Sequence, residues 1–213
     1  IHTTWQRIFC QCEVFVLMSN ITFVIGNGVS RQPIDLEQCK QLGLTIGCNA
    51  IVRDFEPHII SAADPRMVKH TKSMFHGKIY TRPDWNKRYE VLEYPPLPYK
   101  GNTRPDDPWH WNSGPHAINI ACTNNPDVCY LLGFDLTQNH SANNVYMNTE
   151  GYNDKVIDPK YWHHQINRLI ECYAQINFVW IVPNAYVCPA EWVTHTNFSR
   201  DTIENFNKYL HGT

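Results

Sequence analysis

Ile21-Thr22-Phe23-Val24-Ile25-Gly26-Asn27-Gly28-Val29-Ser30 is the stretch on which the fold turns. Its first five residues are mostly β-branched or aromatic and are bounded by glycine, the pattern of a strand buried on both faces of a parallel sheet. The two glycines turn the chain, permit close backbone approach by a ligand and leave helix-start amides free for phosphate. The run lacks the third glycine of the dinucleotide fingerprint, and a tight βα turn with no ligand would use the same residues. Next come Ile34, Leu36 and the residues to Gln41, which read as a brief helix started by Pro33 and closed near Gly43. Residues 44–48 and 59–62 repeat the short-strand signal, the second followed by Asp64-Pro65. Strand, turn, helix, strand predicts an α/β fold, a mostly parallel sheet with helices on both faces.

Residues 81–112 mix Pro83, Pro95, Pro96, Pro98, Pro105 and Pro108 with Trp85, Trp109 and Trp111. That composition forbids a long helix and predicts an ordered, packed surface excursion. Ser113 can cap a helix through Ala117, Ile118, Ala121 and Cys122, after which residues 128–132 return as a strand ending at Gly133-Phe134-Asp135. Residues 138–158 are polar and Asn-rich with almost no aliphatic period, so a mobile lid is expected at about 138–160. Residues 161–175 place Ile166, Leu169, Ile170 and Tyr173 on one helical face, and residues 178–182 read as another buried strand. The last helix, 201–210, is expected to be capped by Ser199.

Met18-Ser19-Asn20 just before the first strand sets the expected domain at 18–213, with residues 1–17 an upstream extension that could alternatively supply a strand at 14–17. The chain of 213 residues is 43% hydrophobic and 13% aromatic, enough for one real core and too short for a second catalytic module. Eighteen basic against twenty acidic side chains exclude a surface built to neutralise nucleic-acid phosphates or anionic lipid. Any anionic ligand has to be held locally. Eight cysteines without framework spacing read as reduced thiols of a cytoplasmic compartment. The apolar run before residue 18 carries Glu13 and is too short to span a bilayer, so no transmembrane segment is expected.

Gly47-Cys48-Asn49 and Asp64-Pro65 follow strands two and three and should share the carboxyl edge of the sheet with Gly26 to Ser30, the edge where α/β proteins bind ligands. Asn49 can hydrogen-bond a base or sugar or simply cap its loop; Asp64 can likewise be a helix cap. His163 and His164 open a helix, where a histidine can act as general base or be an ordinary surface residue. Being adjacent, they point to different faces and make no chelating pair. His110 and His116 have no acidic or cysteine partner at ligand spacing and there is no Asp-x-Asp, so no metal site is expected. The tryptophans of residues 85–111 could form a carbohydrate platform or merely pack a long loop.

Taken in order, Gly26-Asn27-Gly28-Val29-Ser30, Cys48-Asn49, Ser113-Gly114 before a helix, Leu131-Leu132-Gly133-Phe134-Asp135, and Tyr161-Trp162-His163-His164 leading to Trp180-Ile181-Val182-Pro183-Asn184 resemble the bacterial sialyltransferases of glycosyltransferase family 42 and related Rossmann-like proteins, including phage-borne copies. The resemblance runs from Ile21 to Asn184. It implies a Rossmann-like nucleotide domain that binds a CMP-linked sugar as substrate, with no separate cofactor, a lid over the donor, and metal-free inverting transfer to a carbohydrate hydroxyl. It puts Asn27 and Asn49 on the nucleotide, Ser113 near the donor carboxylate, His164 as base, and Tyr146 on the leaving phosphate. Two positions depart from it: His140 stands where a second lid tyrosine is expected, and Asp64-Pro65 replaces Asn-Pro. A carboxylate at Asp64 aimed at a phosphate would repel it. The resulting site set is His164, Tyr146 and His140 for chemistry, with Gly26, Asn27, Gly28, Ser30, Asn49, Asp64, Ser113 and Gly114 around the nucleotide sugar. The alternatives are a metal-dependent nucleotide phosphotransferase or pyrophosphokinase with Asp64 as a ligand, and a catalytically degenerate binding or structural protein.

Overall fold

The computed structural model describes residues 20–136, 144–152 and 158–213. The proposed extension at 1–17, His140 and much of the expected lid lie outside the described residues. One eight-stranded, all-parallel sheet organises the rest, in the order β5-β4-β3-β2-β1-β6-β7-β8. Its strands are β1 (Ile21–Ile25), β2 (Leu44–Cys48), β3 (Ile59–Ser61), β4 (Lys78–Thr81), β5 (Leu92–Glu93), β6 (Val128–Leu132), β7 (Asn177–Ile181) and β8 (Phe198–Asp201). Six helices accompany it: α1 (Leu36–Leu42), α2 (Pro65–Lys72), α3 (Pro83–Tyr89), α4 (Ser113–Thr123), α5 (Lys160–Cys172) and α6 (Ile203–His211). The expected α/β, Rossmann-like class is what the chain adopts. From β1 the chain steps outward through β5, then returns to lay β6 against the free side of β1 in the register Ile25↔Leu132. The carboxyl ends of β1 and β6 therefore flank a topological switch point, where loops diverge and leave a crevice.

Side-chain alternation divides the core into two layers. Val24, Ile46, Leu131 and Trp180 point to the face covered by α4 and α5. Phe23, Ile25, Leu132 and Ile181 point to the other, where they meet Met67 and Val68 of α2 and Phe206 and Leu210 of α6. Helix α4 is buried nearly all round, because Pro115 to Cys122 are all enclosed. It runs back across the sheet and so delivers its first turn to the carboxyl ends of β2 and β3, where Ser113 Oγ accepts from the Ala63 amide at 2.9 Å.

Several local expectations are corrected. Asp35, rather than Pro33, starts α1, its side chain accepting from the Gln38 amide. Asn112 caps α4 by accepting from Gly114 N–H, which frees the Ser113 hydroxyl for other partners. Thr202 caps α6, while Ser199 lies inside β8. The excursion 81–112 holds no long helix, as its prolines imply: α3 has seven residues, with Pro83 in its first turn, where a missing N–H costs nothing. Strands β5 and β8 carry little apolar signal because they form the two edges of the sheet.

Gly26 and Gly28 are explained by the switch point itself. A Cβ on Gly26 would stand 2.5 Å from the Gly133 carbonyl, and one on Gly28 would stand 2.6 Å from the same oxygen and collide with the Asp135 carboxylate. The loops after β1 and β6 touch backbone to backbone, with Gly28 N–H donating to the Gly133 oxygen at 2.8 Å. Gly26→Ala should therefore destabilise the protein by about 1–3 kcal/mol through overpacking, seen as a lower urea midpoint at unchanged m-value. A wild-type midpoint would show that the two loops can part at no cost.

Candidate active site

A cavity of about 670 Å³ opens at the switch point. Seven residues singled out from the sequence line it together: Gly26, Asn27, Gly28, Asn49, Asp64, Ser113 and Gly114. Asn49 takes a left-handed backbone (φ 51°) directly after β2, a conformation asparagine tolerates better than most residues. Its Oδ1 accepts from Ser113 Oγ at 2.6 Å, and its backbone oxygen accepts from Thr71 at 3.0 Å. The Asn49 Nδ2 is left with no partner among the described residues. Asn27 donates through Nδ2 to the Cys48 carbonyl (3.1 Å) and to the Tyr152 hydroxyl (3.3 Å). Its Oδ1 is buried without a partner among the described residues. The cavity thus presents one free amide donor, Asn49 Nδ2, beside the enclosed Asn27 amide, suited to a ligand with an acceptor group.

Ser30 is not part of this wall. Its amide donates to Asp135 at 2.9 Å, its hydroxyl makes a short hydrogen bond to the same carboxylate, and the Val29 amide joins them. The amides expected to be free for phosphate are already capped by a carboxylate of the protein. Burial raises the Asp135 pKa above its ordinary value, and the bonds from Ser30 and Val29 offset that rise only in part. Asp64 does line the cavity, but it caps α2 and is paired with Arg66 at 2.8 Å. The Arg66 hydrogen bond holds its carboxyl below the usual range. Its charge is thereby neutralised locally, which removes the expected repulsion of a phosphate and also leaves it poorly placed to ligate a metal. Among the described residues no three His, Cys, Asp or Glu side chains form a group that could hold a metal ion.

Of the residues assigned to chemistry, Tyr146 and His164 are not in the cavity lining, and His140 is outside the described residues. Tyr146 is buried away from the cavity, its hydroxyl bonded to Arg31 at 2.9 Å and, by a short contact, to Asp54. It fastens residues 144–152, the described part of the expected lid, against the β1 and β2 ends. Val145 N–H donates to the Asn27 oxygen at 2.8 Å, and Arg53 reaches Thr149 and the Glu150 oxygen. Through Asn144, Gly151 and Tyr152 this segment supplies one wall of the cavity. Helix α5 contributes Trp162 and Ile166, one turn apart, and neither histidine. His163 Nε2 lies 3.2 Å from the Leu136 oxygen, beside the cavity wall, whereas His164 Nε2 pairs with Asp106 Oδ1 at 2.7 Å. His164 is rotated by roughly 200° from Trp162 around the helix.

Sequence reasoning missed Arg82, Tyr152 and Trp162 as cavity residues, whereas Cys48 stands on the expected edge. Arg82 follows β4, whose Lys78-Ile79-Tyr80-Thr81 alternation was the available signal. The Cys48 thiol, although in the wall, is pushed up to about 12 by burial and stays protonated, so it is no nucleophile at neutral pH. No protein-family model, no curated protein and no solved structure matches the chain. Among the described residues, no helix is long and apolar enough to cross a membrane, and the six cysteines are all unpaired.

The Asp106–His164 pair has a measurable consequence. Burial would raise the Asp106 carboxyl, but hydrogen bonds from Thr103 and His164 outweigh it and bring the group down to about 2. A carboxyl lowered on folding contributes stability that is present above its unfolded pKa, near 4, and is lost as pH falls toward 2. Asp106→Asn should therefore flatten the dependence of unfolding free energy on pH between 4 and 2, measured by urea titration. An unchanged slope would remove this pair from the acid stability of the fold.

Proposed function

We propose that the chain is a sialyltransferase-like glycosyltransferase that binds a CMP-type nucleotide sugar in the switch-point cavity and transfers its sugar, with inversion, to a carbohydrate hydroxyl. The observation that carries this reading is the convergence of Asn27, Asn49 and Ser113, from three separate segments, on one cavity. Asn49 Nδ2 supplies a donor for the nucleotide, and Asn27, held by the Cys48 carbonyl and the Tyr152 hydroxyl, fixes the wall beside it. With Asp135 on the β1-loop amides, the anionic part of the donor is directed to the other end of the cavity, toward Arg82 and Arg66. A base aligned with the acceptor hydroxyl contributes roughly 10²- to 10⁴-fold in rate. Asp106 gives His164 the fixed orientation such a base needs, and the acceptor then approaches from the Asp106 side of α5.

A second reading is favoured by a specific observation: His164 is turned away from Trp162 and the cavity lining, so the site would bind its ligand without catalysing transfer. Donor binding separates nucleotide readings from all others. CMP at about 100 times its Kd should stabilise the protein by about 2.7 kcal/mol, a rise of several degrees in the thermal midpoint for a chain of this size, and Asn49→Ala should weaken CMP binding about tenfold. If CMP leaves the midpoint unmoved, the nucleotide assignment falls. Turnover separates the two remaining readings: His164→Ala should lower transfer from CMP-sialic acid by roughly 10²-fold or more at unchanged CMP affinity. A large loss in His163→Ala instead would assign the base to the histidine beside Leu136, and no transfer by the wild type would leave a binding protein.

A further inference from the structure

Arg82 belongs to the walls of two cavities. The second, about 280 Å³, lies within the excursion 81–112 and is walled by the rings of Pro83, Pro95 and Pro96, by Tyr94, and by Trp109, which is 57% exposed. His116, in the first turns of α4, closes it from inside and is only 2% exposed. Its ring stacks on Tyr94 with centroids 3.8 Å apart, yet neither ring nitrogen has a partner of ordinary hydrogen-bond geometry. Burial lowers this imidazole to about 3, outweighing the help of the Pro108 backbone, so it is uncharged at neutral pH, with one donor and one acceptor nitrogen. Buried polar atoms left unpaired are costly and uncommon. The buried Nε of Arg82 is unpaired as well.

The chemistry of these walls selects the occupant. Arg82 brings a positive charge, but it is already paired with Asp84 at 3.2 Å and lies over the Trp109 ring, and Glu93 in the same lining brings a negative charge. The cavity therefore favours neither anion nor cation. A hydroxyl suits either tautomer of His116, since it can donate to the bare nitrogen or accept from the N–H. Proline rings and an exposed indole offer apolar surface to the C–H face of a saturated ring. The volume, at the lower end for small-molecule sites, admits one such ring, while a nucleotide needs the larger cavity. We propose that the second cavity is a subsite for a neutral hydroxylated ring, one monosaccharide unit of a carbohydrate, and that it forms the acceptor side of the transfer. The subsite stands on its own lining; its role as acceptor side rests on the donor reading above.

Saturation-transfer NMR on the full chain with methyl glycosides of glucose, galactose and mannose tests this directly. At least one glycoside should receive saturation from the protein. Trp109→Ala, which removes an exposed side chain, should weaken that glycoside at least fivefold, and His116→Phe, which keeps the stack on Tyr94 but removes both nitrogens, should do the same. The absence of saturation for all three glycosides overturns the subsite, as does binding that neither variant changes. Preferential binding of benzoate overturns it in favour of an apolar acid site. Titration with CMP in the same samples separates the two proposals: CMP binding without glycoside binding refutes the subsite alone, and Trp109-dependent glycoside binding without CMP binding upholds the subsite and refutes its acceptor role.

Discussion

The carboxylate of Asp135, at the end of β6, lies on the amides of Val29 and Ser30 and on the Ser30 hydroxyl, and it takes a further hydrogen bond from Tyr186. Much else follows from that contact. The β1 and β6 loops must approach closely for the carboxylate to reach the amides, which is why no Cβ is tolerated at Gly26 or Gly28 and why Gly133 adopts φ +67°. Closure here fixes the floor of the cavity, and with it the position of Asn27, whose backbone oxygen in turn holds Val145 and the segment that carries Tyr146. The Val29 and Ser30 amides of this turn are thus occupied by a carboxylate of the chain itself and are closed to an outside anion.

The excursion 81–112 has a comparable part on the other side of the site. Gln165 Nε2 donates to the Pro105 and His110 carbonyls, Trp111 Nε1 donates to the Pro105 carbonyl, and His164 meets Asp106. Three of these contacts tie a proline-rich loop to the N-terminal half of α5, and the Trp111 bond braces the loop internally. Proline supplies rigidity by restricting φ, at the loss of backbone donors, and here the freed carbonyls are taken up by buried side chains. The loop is therefore a fixed wall, and it sets both Trp111 of the first cavity and Trp109 of the second relative to α5.

The central strands were legible because burial on both faces leaves a continuous apolar run, as in Phe23-Val24-Ile25 and Leu131-Leu132. Convergence of Asn27, Asn49 and Asp64 was also legible, since parallel strands bring their carboxyl ends to one edge whatever the loop lengths, whereas the place of Ser113 was implied only by the family resemblance. The edge strands were not: β8 reads Phe-Ser-Arg-Asp and is half-exposed, so pairing with β7 decides its state rather than its own pattern. Nor were the partners of polar side chains. Ser113 has the composition of a cap, yet the preceding Asn112 takes that role, and only the tertiary approach of Asn49 shows what the hydroxyl does. The rotation of α5 depends on which face packs against the core; Gln165 is fully buried among apolar residues, a placement no hydrophobic period announces.

These placements bear on how the cavity can treat charge. Its two carboxylates are both committed, Asp64 to Arg66 and Asp135 to the β1-loop amides, and the Cys48 thiol is kept neutral by burial. Arg66 is spread over an exposed ion pair, whose attraction is weakened by water. Arg82 is more enclosed and keeps a buried, unpaired Nε, so it is the cation whose interaction with a ligand is least screened. Because the same residue borders the second cavity, occupancy of one side alters the hydrogen-bonding and electrostatic surroundings met by a ligand on the other. Two ligands that share one guanidinium are coupled through it, and the coupling is reciprocal by linkage. Among the described residues, Arg82 is the side chain that lines both cavities, and any coupling between them has to pass through it or through the loop that carries it.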